Sequence, residues 1–265
     1  MRFGGSRLDE KMDVSGVPQL LDILNYLPLD TGDDVNILEY IRNTVEFIAL
    51  NYKNEHYTFS YLGVHLICMM YLYISAWKIS IVIPEEHDIA VTFAKTYEGD
   101  EIDTSKISSV FDYSRVPEKE LPKILKLIGL DKGQRGKIRG LVDMRNDIAH
   151  ATGKSKIPNE DAFYNEVNTI HSFIRNINNC MNGLIRKWFS QFLVKYCEDE
   201  YKEYKDINDI IQEQMIQNLY LSVNELIICN EMSVKKLIKE NPNNKLKLED
   251  FKSGLKKYCT EKGYA

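Results

Sequence analysis

Three side chains near the middle of the chain are of types that together could cleave RNA. Arg145 and Asn146 are adjacent, and His150 follows after three more residues. A histidine has an unperturbed pKa of about 6.5, so near neutral pH it can take the proton from a ribose 2′-hydroxyl. An arginine stays charged and can bind phosphate oxygens through two donors, so it can stabilise the phosphate under attack. This chemistry needs no metal ion, and Asn146 could orient His150 or the phosphate.

The segment around these residues has the pattern of an amphipathic helix over about residues 137–152. One stripe is apolar and is expected to face a core: Leu141, Met144, Ile148 and Ala151. Another stripe is polar: Asp143, Asn146, Asp147 and His150. At 100° per residue Arg145 lies about 140° from His150, so the two are not a close pair within one chain. We therefore expect a two-fold homodimer that unites two Arg and two His side chains in one site.

The charge around the motif is opposite in sign to that of the whole chain. Residues 131–156 contain seven basic and three acidic side chains, whereas the net charge of the chain is −5. A basic patch on an acidic protein favours a focused phosphate-binding surface rather than general nucleic-acid affinity. The side chains expected to bind RNA are Lys132, Arg135, Lys137, Arg139 and Lys154. The alternative is that these residues are an ordinary solvated end of a helix.

Residues 144–153, MRNDIAHATG, resemble the signature of HEPN domains. These are helical proteins whose ribonuclease members carry an Arg, often followed by a polar residue, and then a His. The resemblance would cover residues 36–205, and it implies a bundle of two long and two shorter helices that dimerises. It also implies a toxin or a phage-defence effector with a possible regulatory or antitoxin partner. Thr152 stands where toxins of one subfamily carry a modified Tyr, so control by that modification is not expected.

Helical periodicity dominates the rest of the chain, and strand signals are nearly absent, which predicts an all-α protein. The helices are expected at 36–53, 58–79, from Pro84, 117–129, 137–152, 159–204, 206–229, 232–240 and 248–262. An irregular connection over 98–118 and a basic turn over 131–136 separate some of them. The predicted organisation is an N-terminal arm (1–35), a HEPN-like antiparallel bundle (36–205) and a smaller helical C-terminal extension (206–265).

Other features of the sequence exclude several classes of protein. The five cysteines are far apart, with no Cys-x-x-Cys pair, which favours free thiols in the cytoplasm. No phosphate-binding loop, dinucleotide fingerprint or metal-ligand spacing is present, so neither a cofactor nor a metal is expected. The apolar run over 61–83 is long enough to span a membrane, yet His65 and Lys78 within it favour a buried central helix. His65 is expected to be a core histidine with satisfied hydrogen bonds, one that could border the motif.

These observations predict a metal-independent endoribonuclease that cleaves single-stranded RNA by attack of the 2′-hydroxyl. The products would carry 2′,3′-cyclic phosphate and 5′-hydroxyl ends. The alternative is a catalytically silent helical module that dimerises or binds a partner through the same surface.

Overall fold

Helices with buried apolar stripes make up most of the computed structural model, which describes residues 17–97, 99–150, 157–198 and 200–264. They are α1 (Pro18–Leu24), α2 (Val35–Lys53), α3 (Tyr57–Val82), α4 (Pro84–Thr92), α5 (Leu121–Leu125), α6 (Lys132–Ala149), α7 (Glu160–Cys197), α8 (Ile207–Asp209), α9 (Val223–Glu231), α10 (Lys235–Glu240) and α11 (Lys245–Glu261). Within these ranges there is no strand, and one isolated bridge joins Lys95 to Glu101. The prediction of an all-α protein is confirmed.

Helix α3 is the central element of the fold. It is the one described helix that is long and apolar enough to cross a membrane, and 78% of its most apolar window is buried by the rest of the protein. Helix α2 lies directly against it, because Gly63 allows the side chains of Phe47 and Ile48 to approach its backbone. Helix α7 packs on α3 as well. Most of the apolar surface of α3 is therefore covered by other parts of the same chain.

One hydrophobic core runs through the described chain from Val17 to Cys259. Helix α1, which falls within the predicted N-terminal arm, contributes Leu20 and Ile23, and both are completely buried. At the other end of the chain, the side chain of Leu255 in α11 is also completely buried. The helices before and after residue 205 thus share a core, while the division into an arm, a bundle and an extension stays a prediction.

A buried ion pair fastens the C-terminal part to the central helix. Lys78 of α3 binds Glu225 of α9, and these side chains are only 2% and 3% exposed. Glu225 also accepts a hydrogen bond from the backbone N–H of Ser222 (2.9 Å) and so completes the N-terminal cap of α9. Burial lowers the pKa of Lys78, although the charge of Glu225 acts in the opposite direction.

Several predicted helix boundaries were wrong. The run predicted over 159–204 ends at Cys197, and the helix predicted over 117–129 is α-helical only over Leu121–Leu125. Helix α6 begins at Lys132 rather than at 137, because Asp131 and Gln134 form a reciprocal capping box with bonds of 2.7 and 2.9 Å. The predicted helix over 206–229 is interrupted: α8 continues as a π-helix over Ile210–Gln217, and Tyr220 adopts a positive φ of 53°. The Ser222 cap then starts α9, so local hydrogen bonds outweigh the continuous apolar pattern.

Candidate functional site

Helix α6 presents one side to the core and leaves the other open. Ile138, Leu141 and Val142 are buried, and the helix packs against α3. A Cβ atom added at Gly136 or Gly140 would meet nothing within 4 Å. These glycines therefore lie on an uncovered surface, and the apolar stripe that the sequence predicts is what orients the helix.

Arg145 lies beside the apolar stripe of α6 and is held by a carboxylate from another part of the chain. Its Nη2 donates a hydrogen bond of 2.6 Å to Oε2 of Glu118. The Arg145 side chain is 30% exposed and that of Glu118 is 12% exposed. An arginine has five N–H donors, so this contact fixes the guanidinium while other donors stay available on its exposed side.

A buried histidine lies on the other side of Glu118. The His65 Nε2 atom is 3.7 Å from Glu118 Oε2, which is an ion-pair distance but too long for a hydrogen bond. Within the described part of the chain neither ring nitrogen of His65 has a hydrogen-bond partner, so the expectation of satisfied hydrogen bonds was wrong. His65 is linked to the motif through Glu118, which pairs with both His65 and Arg145.

The environment of Glu118 changes its acidity. Burial alone would raise the pKa of this carboxyl group, but His65 and Arg145 outweigh burial and hold the pKa below its usual value. Glu118 is therefore a stable anion next to the motif arginine. The sequence analysis did not identify it, because it lies 27 residues before Arg145 in an irregular segment.

His150 ends α6 and is exposed to solvent. Its backbone N–H donates to the Asn146 carbonyl (2.9 Å), so its ring lies one turn beyond the half-buried Asn146. Across the described residues, no hydrogen bond or ion pair joins the His150 ring to Arg145. Helical spacing puts Asn146 and His150 on the same side of α6. Arg145 lies to the side and binds Glu118, a partner that the spacing does not predict.

A groove of about 1020 Å³ opens between α4, α5 and the first half of α6. Its rim carries six basic side chains: Lys119, Lys123, Lys126, Lys132, Arg135 and Arg139. Glu86 is the one acidic residue among those that line it. The groove therefore has a strongly positive rim on a protein whose net charge is −5.

Five of the lining residues are apolar, and we refer to this apolar part as the floor of the groove. It is formed by Ile89, Ala90, Phe93, Pro122 and Leu127. Ile89 and Phe93, one helical turn apart, are 62% and 67% exposed. Large apolar side chains that are so exposed and lie next to one another are typical of a surface that binds something.

The structure places the predicted RNA-binding residues in different settings. Lys132, Arg135 and Arg139 line the groove, whereas Lys137 is exposed on α6 outside the groove lining. Lys154 lies outside the described residues, as do Ala151 of the predicted apolar stripe and Thr152. The opposite basic wall was missed, although its signal is visible in the sequence: Lys119, Lys123 and Lys126 recur at helical spacing.

The groove and the end of the motif share one side of α6. At 100° per residue, Lys132, Arg139, Asn146 and His150 fall within about 40° of one another around the helix axis. Arg139 and His150 are eleven residues apart, or about 16 Å along the helix at 1.5 Å per residue. A single extended ligand can therefore contact the groove and reach His150 without crossing the core.

No three His, Cys, Asp or Glu side chains of the described residues are grouped so that they could hold a metal ion. Comparison of the chain with protein-family models, with curated proteins and with solved structures found no match.

Proposed function

We propose that the protein is a metal-independent endoribonuclease that cuts single-stranded RNA, with a HEPN-like bundle built from α2, α3, α6 and α7. The observation that supports this proposal best is the continuous side of α6, where the basic residues of the groove lead to Asn146 and His150. A phosphate chain bound at the groove would extend towards an exposed imidazole. This arrangement suits a reaction that needs a held polyanion and one proton carrier.

The proposed reaction assigns one role to each residue. His150 takes the proton of the ribose 2′-hydroxyl, and the 2′-oxygen then forms a bond to the adjacent phosphorus. The bond from phosphorus to the 5′-oxygen breaks, and the His150 side chain of a second copy returns a proton to that oxygen. Arg145, oriented by Glu118, stabilises the negative charge of the five-coordinate phosphorane. Asn146 orients the imidazole or a phosphate oxygen.

The separation of Arg145 from His150 is the reason for a second copy of the chain. Because the two side chains leave α6 in different directions, a composite site at a two-fold axis is the economical way to unite them. Mixing Arg145→Ala with His150→Ala subunits gives heterodimers that keep one Arg145 and one His150. If a composite site needs only one residue of each type, some activity should return, and it should stay below that of the native dimer because the second imidazole is missing. Full activity of a protein that light scattering shows to be monomeric would contradict the composite site.

The activity is tested with labelled single-stranded RNA in excess chelator. We expect products with 2′,3′-cyclic phosphate and 5′-hydroxyl ends, and a loss of about 10²–10⁴-fold in rate for His150→Ala and for Arg145→Ala. His56→Ala and Arg186→Ala are matched controls, since both side chains are exposed and belong to other parts of the chain than α6. Unchanged activity in either folded motif variant would refute the assignment.

A second candidate function follows from the contact between Arg145 and Glu118. A motif arginine that is already paired within its own chain fits a catalytically silent module that binds RNA or a protein partner through the basic groove. This reading predicts RNA binding without strand scission, which one gel of labelled RNA distinguishes from cleavage. Growth inhibition on expression, relieved by His150→Ala, would support the enzyme and the role of toxin or cytoplasmic defence effector that its motif suggests.

A further inference from the structure

We propose that the groove between α4, α5 and α6 is a binding site for single-stranded RNA, in which bases lie on the apolar floor and phosphates lie between two basic walls. The inference rests on the proposed function in so far as RNA is the substrate. It adds a binding subsite away from the motif, together with its mode of recognition. Binding to this subsite is measurable without any cleavage.

The two walls favour a ligand with several negative charges in a row. Three lysines come from α5 and its flanking residues, and three basic residues come from α6. Some of them are partly neutralised: Lys119 pairs with Asp143 at 3.0 Å, and Lys123 pairs with Glu120. Among the described residues, no ion pair is made by Lys126, Lys132 or Arg139, so these cations are available on both walls. A strand that follows the groove would meet positive charge on each side of its backbone.

The floor determines which polyanion fits. Ile89, Phe93 and Leu127 offer apolar surface, and Phe93 offers an aromatic face that a nucleobase can stack on. In a duplex the faces of the bases are stacked on one another and hidden, so a duplex would leave this floor uncovered. An unpaired strand can turn its bases down onto the floor while its phosphates stay at the rim.

The absence of polar atoms in the floor residues has a consequence for specificity. The side chains of Ile89, Ala90, Phe93, Pro122 and Leu127 have no donor or acceptor that could read the edge of a base. Recognition would therefore depend on stacking and on charge, and it should tolerate different sequences. Purines, which have a larger stacking face, should bind somewhat more tightly than pyrimidines.

The test measures the anisotropy of a fluorescent twelve-nucleotide oligoadenylate RNA in the His150→Ala background, which excludes cleavage. Phe93→Ala should weaken binding by about tenfold or more, whereas Phe93→Tyr should keep it. Phe59→Ala is the matched control, because Phe59 is 54% exposed and does not line the groove. Phe93 is itself 67% exposed, so its truncation is expected to leave the fold intact.

The basic walls are tested by the salt dependence of the same binding. For single strands the slope of log K against log salt is about −0.7 for each phosphate neutralised, so Lys126→Ala and Lys132→Ala should each reduce its magnitude by about 0.7. Lys236→Ala, whose side chain is 88% exposed and lies outside the groove lining, should leave the slope unchanged.

Other outcomes would overturn the proposal. A twelve-base-pair RNA duplex bound as tightly as the single strand, or equal binding by Phe93→Ala and Phe59→Ala, would show that bases do not use the floor. Binding to phosphatidylcholine–phosphatidylserine vesicles or to an oligoglutamate peptide, with none to RNA, would assign the groove to another class of partner. If the native chain binds RNA in the groove but does not cleave it, the proposed ribonuclease activity is refuted and the binding site is not. If the chain cleaves RNA and Phe93→Ala does not change the cleavage, the binding site is refuted and the activity is not.

Discussion

Helices α3 and α6 carry similar residues in opposite environments. Each has a basic side chain paired with a carboxylate from another part of the chain, and each contains glycine. In α3 the pair of Lys78 and Glu225 is at most 3% exposed, whereas in α6 Arg145 is 30% exposed. A fully buried pair can only hold the fold together, because no ligand reaches it. A pair open on one side can fix a charge and still present part of it to a ligand.

The largest expected effect comes from breaking the buried pair. Lys78→Met leaves the charge of Glu225 without a partner in the core, which should lower the free energy of unfolding by about 3–5 kcal/mol. Urea denaturation of the variant and of the native chain measures this difference in the free energy of unfolding. Lys236→Met, at an 88% exposed lysine, should change stability by less than about 0.5 kcal/mol. The double variant Lys78→Met/Glu225→Gln should recover part of the loss. Equal stability of Lys78→Met and Lys236→Met would show that the buried pair is not what holds α3 and α9 together.

Substitutions at the glycines of the two helices test the same difference in environment, with smaller expected changes in the free energy of unfolding. A Cβ at Gly63 of α3 would collide with the Ile48 side chain, so Gly63→Ala should destabilise the protein by about 1–3 kcal/mol. Gly140 of α6 faces open space within a helix, so Gly140→Ala should stabilise it by about 0.5–1 kcal/mol. Thermal and urea denaturation of the two variants should shift in opposite directions. A shift of the same sign would contradict the difference in packing between the two helices.

The remaining effect concerns the partly exposed pair of Arg145 and Glu118, and it depends on pH. Burial opposes ionisation of Glu118, but His65 and Arg145 lower its pKa in the folded state. A carboxyl group with a lowered folded pKa adds stability above its unfolded pKa of about 4.3, and this is lost as the pH falls through the folded value. Glu118→Gln keeps an acceptor for Arg145, so at pH 7 it should cost about 1 kcal/mol.

Urea denaturation at pH 7, 5 and 3 measures this difference. The difference between Glu118→Gln and the native chain should be present at pH 7 and 5 and should diminish towards pH 3. Glu249→Gln is a control, since this glutamate is 50% exposed in a surface pair with Lys245. A difference that is the same at all three pH values would show that the charge of Glu118 is not its cause.

Features that depend on local periodicity could be predicted from the sequence, and this shows in α2, α3 and α7. The directions of Arg145 and His150 were also predictable, because helical spacing alone sets them apart. The start of α6 was not predictable in this way. Gly133 and Gly136 suggest a turn, but the capping box of Asp131 outweighs them and starts the helix at Lys132. The groove and the contact of Glu118 with His65 join segments that are far apart in the chain. No local pattern contains that information, so only the packed structure can provide it.

The bond between Lys78 and Glu225 also has a consequence for the order in which the chain folds. Its two ends are 147 residues apart, and the backbone N–H of Leu29 donates to the carbonyl of Leu221 (3.0 Å) across an even larger separation in sequence. Contacts between distant segments form late in folding. The long loop between the two segments must first close, and the conformational entropy lost in closing it is compensated only once the contacts are made. During synthesis, Lys78 of α3 cannot pair with Glu225 until α9 has been made. Packing of α3 against α9 through this ion pair therefore waits until residues 223–231 have been synthesised.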